Sequence, residues 1–448
     1  MKHDLTKGNV VKVLLCFAGP MILGNMLQQL YNIIDTWVVG KYVGADALAA
    51  VGSAYSLMTF LTSVLIGLCM GSGAMMSFYF GKREDRMLRN CMLSSFVLIG
   101  LIALGICLAV LALQKPILRI LQTPAELFEL MERYTTIVFY GIFFVFLYNF
   151  FAFVLRAVGN SVVPLFFLGI ASVCNVVLDL FFVLNLGWGL EGAAWATVAA
   201  QAFSGIGLGI YTWVREPRFR FSFREFVNCE KPMKEIFRFS AITSAQQSVM
   251  NFGILLIQGL VNSFGTVVMA AFAAAVKIDT FAYMPAQEFG NAFSIFISQN
   301  YGAGEKERLK KGMSRAIGVS VGFCLLISLL VFGMARELML IFVKPEETEI
   351  LKTGIEYLHI EGAFYIGIGI LFLLYGYFRG INRPGISLVL TIISLGTRVV
   401  LAYTLAAVPG IGVHGIWYAI PIGWVLADVT GILLMGKETI NIGSKTCA

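Results

Sequence analysis

Twelve apolar stretches of roughly 20 residues or more recur along this chain, and each is long enough to cross about 30 Å of hydrocarbon as a helix. They lie near 13–38, 48–80, 91–113, 134–158, 162–184, 191–214, 236–262, 267–300, 313–335, 353–379, 386–408 and 413–435. In lipid every backbone polar group must bond within the protein, so stretches of this length can only be helices. With 58% hydrophobic and 13% charged residues, the chain could not cover a soluble fold with polar surface. The predicted fold class is an all-α polytopic membrane protein.

The net charge of +7 does not point to nucleic acid, because the basic residues are sorted by position. If the N-terminus is inside, the inner connections and both termini hold 24 Lys and Arg and the outer connections hold 7. Basic residues collect on the cytoplasmic side, so both termini are expected in the cytoplasm of a plasma or bacterial inner membrane. Lys2, Lys7 and Lys12 precede the first stretch, which runs too long past Pro20 to be a cleaved leader. The longest connection, 215–235, is rich in Arg and lies at the midpoint. It divides the chain into a six-helix lobe over 1–214, a cytoplasmic linker over 215–235 and a second six-helix lobe over 236–448.

The halves read as repeats. Ser77 to Gly81 matches Ser298 to Gly302, and Gly44 matches Gly265, both at an offset of 221. Arg156 matches Arg379, Gly187 matches Gly410 and Gly192 matches Gly415, at an offset of 223. An even number of spans per half starts both halves on the same side, which makes the predicted symmetry axis parallel to the membrane normal.

The first stretch, Phe17 to Gly40, is apolar yet carries Asn25, Gln28, Asn32 and Asp35 at helical spacing on one face. A carboxylate in a membrane helix costs roughly 2.5 kcal/mol or more at the centre, so it faces a bundle interior or a wet cavity. This stripe is read as the wall of a water-filled path. Asp35 is its proton or cation acceptor, and Gln28 and Asn32 are candidate substrate contacts.

With Pro20, the stripe ending in Asp35, the run Gly40 to Gly52, Arg156-Ala-Val-Gly-Asn160 and Ser298-Gln-Asn-Tyr-Gly-Ala-Gly304, the chain resembles the multidrug and toxic compound extrusion (MATE) family over nearly its whole length. The resemblance implies a V-shaped pair of pseudo-symmetric six-helix bundles acting as a secondary antiporter. Such a protein exports cationic or amphipathic drugs in exchange for H⁺ or Na⁺. One prokaryotic branch uses an Asp on the first helix, an Asn and an Asp four apart on the fifth, and a Thr on the sixth. Here these positions are Asp35, Asn175, Asp179 and Thr197, the implied cation-coupling set and, under Na⁺ coupling, its ligands. The residues agree with that in part. Ser172, Asn175 and Asp179 share one helix face, as do Thr197, Gln201 and Ser204.

Other family members place an acid on the seventh helix. Here that helix carries Gln247, Asn251, Gln258 and Asn262 on one face without a carboxylate. Gln247 and Asn251 are candidate substrate contacts, with Glu288 in the eighth stretch as an attractor of cations. Lys277 and Glu288 stand about 16 Å apart along a helix, too far for a direct pair. His359 and Glu361 read as interfacial, and Arg398 as a charge that closes a bundle.

The eight cysteines are scattered, six of them in apolar runs, and read as buried small residues without disulfide or metal roles. No HExxH, no acidic pyrophosphate motif and no GxxxxGK[ST] loop occurs, which argues against a membrane enzyme and a primary pump. The alternative from the same wider superfamily is a lipid-linked oligosaccharide flippase. Asp35, Asp179, Asp279, Glu288 and Glu361 against Lys277 and Arg398 favour cationic cargo instead. A monomer in the bilayer, without cofactor, completes the expectation.

Overall fold

The computed structural model describes residues 4–120, 125–219 and 230–444. Among these residues it contains helices and no strand. The helices are α1 Val10–Val38, α2 Ala45–Gly81, α3 Asp85–Ala112, α4 Gln114–Ile120, α5 Ala125–Tyr140, α6 Ile142–Ala157, α7 Val162–Leu180 and α8 Gly189–Arg215. They continue with α9 Glu230–Asn262, α10 Thr266–Gly302, α11 Lys306–Gly333, α12 Ala335–Leu340, α13 Thr348–Gly362, α14 Tyr365–Gly380, α15 Pro384–Ala406 and α16 His414–Ser444.

Among the described residues ten helices are long and apolar enough to cross a membrane, and an eleventh crossing arises if α13 and α14, bent by 51°, are taken together. The chain is therefore an all-α, multi-pass membrane protein. The remaining expected span, 236–262, lies in the 33-residue α9. This helix is less apolar than the others because it carries Ser240, Thr243, Ser244, Gln246 and Gln247 in successive turns. The polar face is not turned to lipid. Ser240 and Thr243 are fully buried, and Ser244 Oγ donates to the Val64 carbonyl at 2.9 Å. Gly67 and Gly71 of α2 make room for this face, since a Cβ on Gly71 would lie 2.7 Å from Ser240 Cα. Small residues that admit a neighbouring backbone are the usual basis of helix packing in lipid.

The chain forms two compact units. Unit 1 holds residues 1–5 and 19–247, and unit 2 holds residues 6–18 and 248–448. The division runs through two continuous helices, α1 and α9. In α1 it falls beside Pro20, which lacks the N–H its helix would need there. Much of the expected linker, 220–229, lies outside the described residues. Before it comes a 3₁₀ turn, Pro217–Phe219, whose Phe219 is buried in unit 1.

The core of unit 1 includes a set of packed phenylalanines from α3 and α6. Phe96, Phe146 and Phe150 lie with ring centroids 5.3–5.8 Å apart. Unit 2 is built on α10 against α14, with Phe272 stacked on Trp417 at 5.4 Å near the start of α16. Leu101, Leu104 and Leu108 of α3 and Leu326 and Leu329 of α11 are exposed along span faces, as a surface solvated by lipid requires.

The sequence repeat has a counterpart in local geometry. Ser77 Oγ donates to the Ala157 carbonyl at 3.5 Å, and Ser298 Oγ to the Gly380 carbonyl at 3.3 Å. Gly44 and Gly265, with φ of 125° and 92°, each precede a 37-residue helix. A left-handed φ at that joint suits glycine in both halves.

Of the six described cysteines, all free, Cys69, Cys91, Cys107 and Cys324 are buried, Cys174 is half-buried and Cys16 is exposed. The expectation of burial thus fails for Cys16, which lies on an outer face of α1 beside the exposed Leu15. Cys229 and Cys447 lie outside the described residues.

Candidate functional site

In unit 1, α1 brings Asp35 and α7 brings Asp179 to the same point, where the two carboxyl groups face each other at hydrogen-bonding range. Each acid stands within about a turn of a π-helical turn, Val39–Val43 after Asp35 and Phe181–Asn185 after Asp179, and the two π turns touch. A π turn inserts one residue and rotates the rest of its helix, a distortion frequent at functional sites.

The surroundings are rich in acceptors and poor in donors. Asp179 is fully buried and neither of its oxygens has a hydrogen-bond partner. Asp35 Oδ1, Asn175 Oδ1 and Gln201 Oε1 are likewise buried without a donor. The Asn175 amide donates to Thr197 Oγ1 at 3.4 Å, which joins α7 to α8. Tyr134 lies within the field of both carboxyls. Beside them Tyr31, Ser172, Asn175, Thr197, Gln201 and Ser204 line a cavity of about 30 Å³, room for about one water. The structure thus brings together Asp35, Asn175, Asp179 and Thr197. Two facing carboxylates repel when both are charged, and a shared proton or a bound cation removes the repulsion. The remaining oxygens are hard ligands of the kind alkali cations take, so the residues fit either a proton or Na⁺. Among the described residues no group of three or more His, Cys, Asp or Glu could hold a metal ion.

Unit 2 contains a second polar site that differs from the sequence expectation. Asp279 of α10, Glu361 of α13 and Arg398 of α15 line a cavity of about 200 Å³ together with Asn251, Tyr283 and Trp424. Tyr357 Oη donates to Asp279 Oδ2 at 3.4 Å, while both Glu361 oxygens and Arg398 Nε have no partner. Glu361 is therefore not interfacial. It is 1% exposed, because Gly354, Leu358, Glu361 and Tyr365 recur at helical spacing on the buried side of the α13–α14 span. Arg398, expected only to close a bundle, is the cation of this cavity. Lys277 points the opposite way from Asp279, being exposed, with its ammonium 5.6 Å from the Phe342 ring centroid. The amphipathic spacing of α13 is the one sequence signal for Glu361; nothing in the spacing links it to Asp279.

The five polar residues expected to meet substrate do not form one group. Asn251 lines the unit 2 cavity. Gln28 is exposed beside Tyr31, to which it is hydrogen-bonded, and Asn32 is half-buried. Gln247 Nε2 lies 3.7 Å from Met70 Sδ in unit 1. Glu288 accepts a bond from Asn291 Nδ2 at 3.2 Å, and Asn291 Oδ1 in turn accepts from Arg379 Nη2 at 3.1 Å. Glu288 is thus part of a structural network around a buried arginine.

The charge balance around Arg398 can be measured. Arg398→Ala leaves two buried acids without a cation, and the expected loss is about 1–3 kcal/mol of stability. Adding Glu361→Gln should recover at least half of it. Thermal unfolding of the native chain, the two single variants and the double variant checks this, and additive losses would contradict a shared charge balance.

Comparison with known proteins decides the family. The family described as MatE matches residues 20–181 and 240–404, one match in each half. The chain belongs to the MatE family. Like the family it is a transporter and not an enzyme. It is 29% identical over 433 residues to the "Probable multidrug resistance protein YpnP" of Bacillus subtilis, covering 96% of each chain. It is 24% identical to the "Probable multidrug resistance protein NorM" of Thermotoga maritima, covering 93% of this chain and 90% of the relative. Among solved structures, a MATE protein in the bent conformation superposes with a TM-score of 0.93 at 23% identity, covering all of both chains. This last likeness speaks to the fold of the MatE member alone.

Proposed function

We propose that this MatE-family transporter exports cationic or amphipathic compounds in exchange for H⁺ or Na⁺, with Asp35, Asn175, Asp179 and Thr197 as the ion-coupling residues. The observation that carries the reading is the cluster in unit 1, where five buried acceptor oxygens, three of them from two facing carboxyls, stand together without a donor. Such a cluster is stable only when a proton or a cation joins it, so its occupancy must depend on the ion gradient. If the conformation that releases substrate holds the ion more tightly, ion entry drives substrate exit. A bias from 1:99 to 99:1 between two states needs a difference of about 10⁴-fold in ion affinity.

The relatives named as multidrug resistance proteins support the substrate class, and the buried acids of both units support a cationic cargo. Among the five polar residues considered for substrate, Asn251 has the position that best suits contact, beside Asp279 and Glu361. For Gln28, Asn32, Gln247 and Glu288 the support is their place in the spans. The excess of Lys and Arg in alternate connections supports cytoplasmic termini. Monomeric action is supported by each chain carrying its own ion-coupling residues.

The test is transport by the purified full chain in liposomes loaded with ethidium. Export is expected to follow an imposed pH gradient or an imposed Na⁺ gradient, and the active gradient identifies the ion. Ethidium movement that ignores both gradients would overturn the antiport reading.

A further inference from the structure

One buried acid belongs to neither site. Asp428 on α16 is 7% exposed, and its Oδ1 has no hydrogen-bond donor. It lies on the inward side of its helix with Trp424, Ala427 and Gly431, whereas Val425, Leu426, Val429 and Ile432 are exposed. Its Oδ2 lies over the first turn of α14, since a Cβ built on Gly367 would be 3.6 Å from that oxygen and 3.5 Å from Trp424 Cβ. Trp424 is also a wall of the unit 2 cavity, so Asp428 stands one turn behind that wall.

Buried hydroxyl groups lie between the two places. On α15, Ser387, Thr391, Ser394 and Arg398 recur at spacings of four, three and four, which sets them on one face. The three hydroxyl residues are at most 4% exposed. Ser394 and Arg398 line the cavity. Thr391 Oγ1 donates to the Ser387 carbonyl at 2.9 Å, and Ser387 Oγ donates to the Tyr375 carbonyl at 3.1 Å. Tyr375 lines the cavity, is hydrogen-bonded to the Thr391 side chain and lies within the field of Asp428. The ionisable groups facing this region from the elements packed on α16 include Tyr375 of α14, Arg398 of α15 and Tyr357 and Glu361 of α13. At the far start of α16, His414 is held by Glu356 at 3.1 Å.

We propose that Asp428 is a proton-transfer site, carrying protons between the Asp279–Glu361 cavity and the Pro384 end of unit 2 along the Ser394, Thr391 and Ser387 hydroxyls with Tyr375. The step moves protons alone. A cavity carboxyl gives up its proton to a relay hydroxyl, and each relay hydroxyl passes its own proton on, Thr391 and Ser387 turning away from the backbone carbonyls that now accept from them. Asp428 binds one proton and later releases it. A carboxyl with no partner in a bundle costs stability and would be replaced without loss by Leu or Asn if it only filled space. The inference deepens the ion-coupling reading of this transporter and rests on it only for the direction of net transport.

The full chain in liposomes tests it through two assays. One is ethidium export driven by a pH gradient. The other is exchange of ethidium against ethidium at equal pH, which needs no net proton movement. Asp428→Asn is expected to slow gradient-driven export by about tenfold or more, as loss of a positioned proton carrier does, while exchange stays within about twofold. Asp428→Glu should restore most of the driven rate, and Thr391→Val and Tyr375→Phe should slow it in the same selective way. These last two keep the test decisive if Asp428→Asn does not fold. Driven export at the native rate in Asp428→Asn would overturn the proposal. Equal loss of export and exchange in all of the variants would overturn it too, by assigning the residues to packing. Loss of driven export in Asp179→Asn beside normal export in Asp428→Asn would refute this proposal and leave the unit 1 reading intact. The reverse pattern would do the opposite.

Discussion

Asp179→Asn is expected to abolish coupled export, lowering the gradient-driven rate by roughly a hundredfold or more. The residue is fully buried, its carboxyl faces that of Asp35, and neither of its oxygens has a donor. Asparagine keeps the shape but cannot release a proton, and its amide would donate to Asp35, making permanent the neutral arrangement that the ion supplies for part of the cycle. The variant should therefore fold, bind ethidium and show a rate that no longer changes with the imposed ion gradient. Asp35→Asn should act in the same direction with a smaller loss, about tenfold, because Asp35 is only half-buried and only one of its oxygens is sealed from solvent. Transport rates of both variants at several gradients are the check. Coupled export unchanged in both would remove the ion site from unit 1.

Gly376→Leu should have the largest effect on folding, about 3 kcal/mol or more, because it forces apart two helix backbones. A Cβ at Gly376 would collide with the Gly290 carbonyl oxygen, and one at Gly290 would lie 2.7 Å from the Phe372 carbonyl oxygen. Gly380, one turn on, would meet Ile297 Cγ2 at 2.5 Å. This is where α10 crosses α14, and Arg379 is held there by a bond from its Nε to Ser294 Oγ at 3.0 Å. Backbone cannot yield as a flexible side chain can, so the helices must separate and the buried arginine loses its partners. Gly259→Leu, on α9 with open space around its Cβ position, is the matched control and should shift stability little. Thermal unfolding of the two variants decides it, and equal melting temperatures would show that the crossing tolerates a side chain.

Of the residues proposed for ion coupling in unit 1, the sequence marks Asp35 and Asp179 by local signals, while the family resemblance adds Asn175 and Thr197 and groups the four. Asp35 and Asp179 are carboxylates inside apolar stretches, and Asn175 precedes Asp179 by one helical turn. The fold adds what spacing cannot express, namely that these acids meet and that their neighbours offer mostly acceptors. Glu361 shows the opposite outcome. It reads as interfacial if only its distance from the start of its helix is considered, yet it lies at the end of α13, next to the bend into α14, and is sealed inside unit 2. Arg398 reads as isolated because its companions Asp279 and Glu361 lie 119 and 37 residues away. Asp428 has no motif at all; only its depth in α16 and its missing partner mark it.

Hydropathy, helical period and the spread of Lys and Arg determined by themselves that this chain crosses a membrane many times, that its halves repeat and that Asp35 ends a polar stripe on its first helix. These are properties of one helix or of its ends, set by the cost of placing backbone and charge in lipid. The tertiary structure alone decided which charges share a cavity, which glycines carry a crossing and which oxygens lack a donor. Those facts depend on helices far apart in the chain meeting side by side, and no short-range pattern records such a meeting.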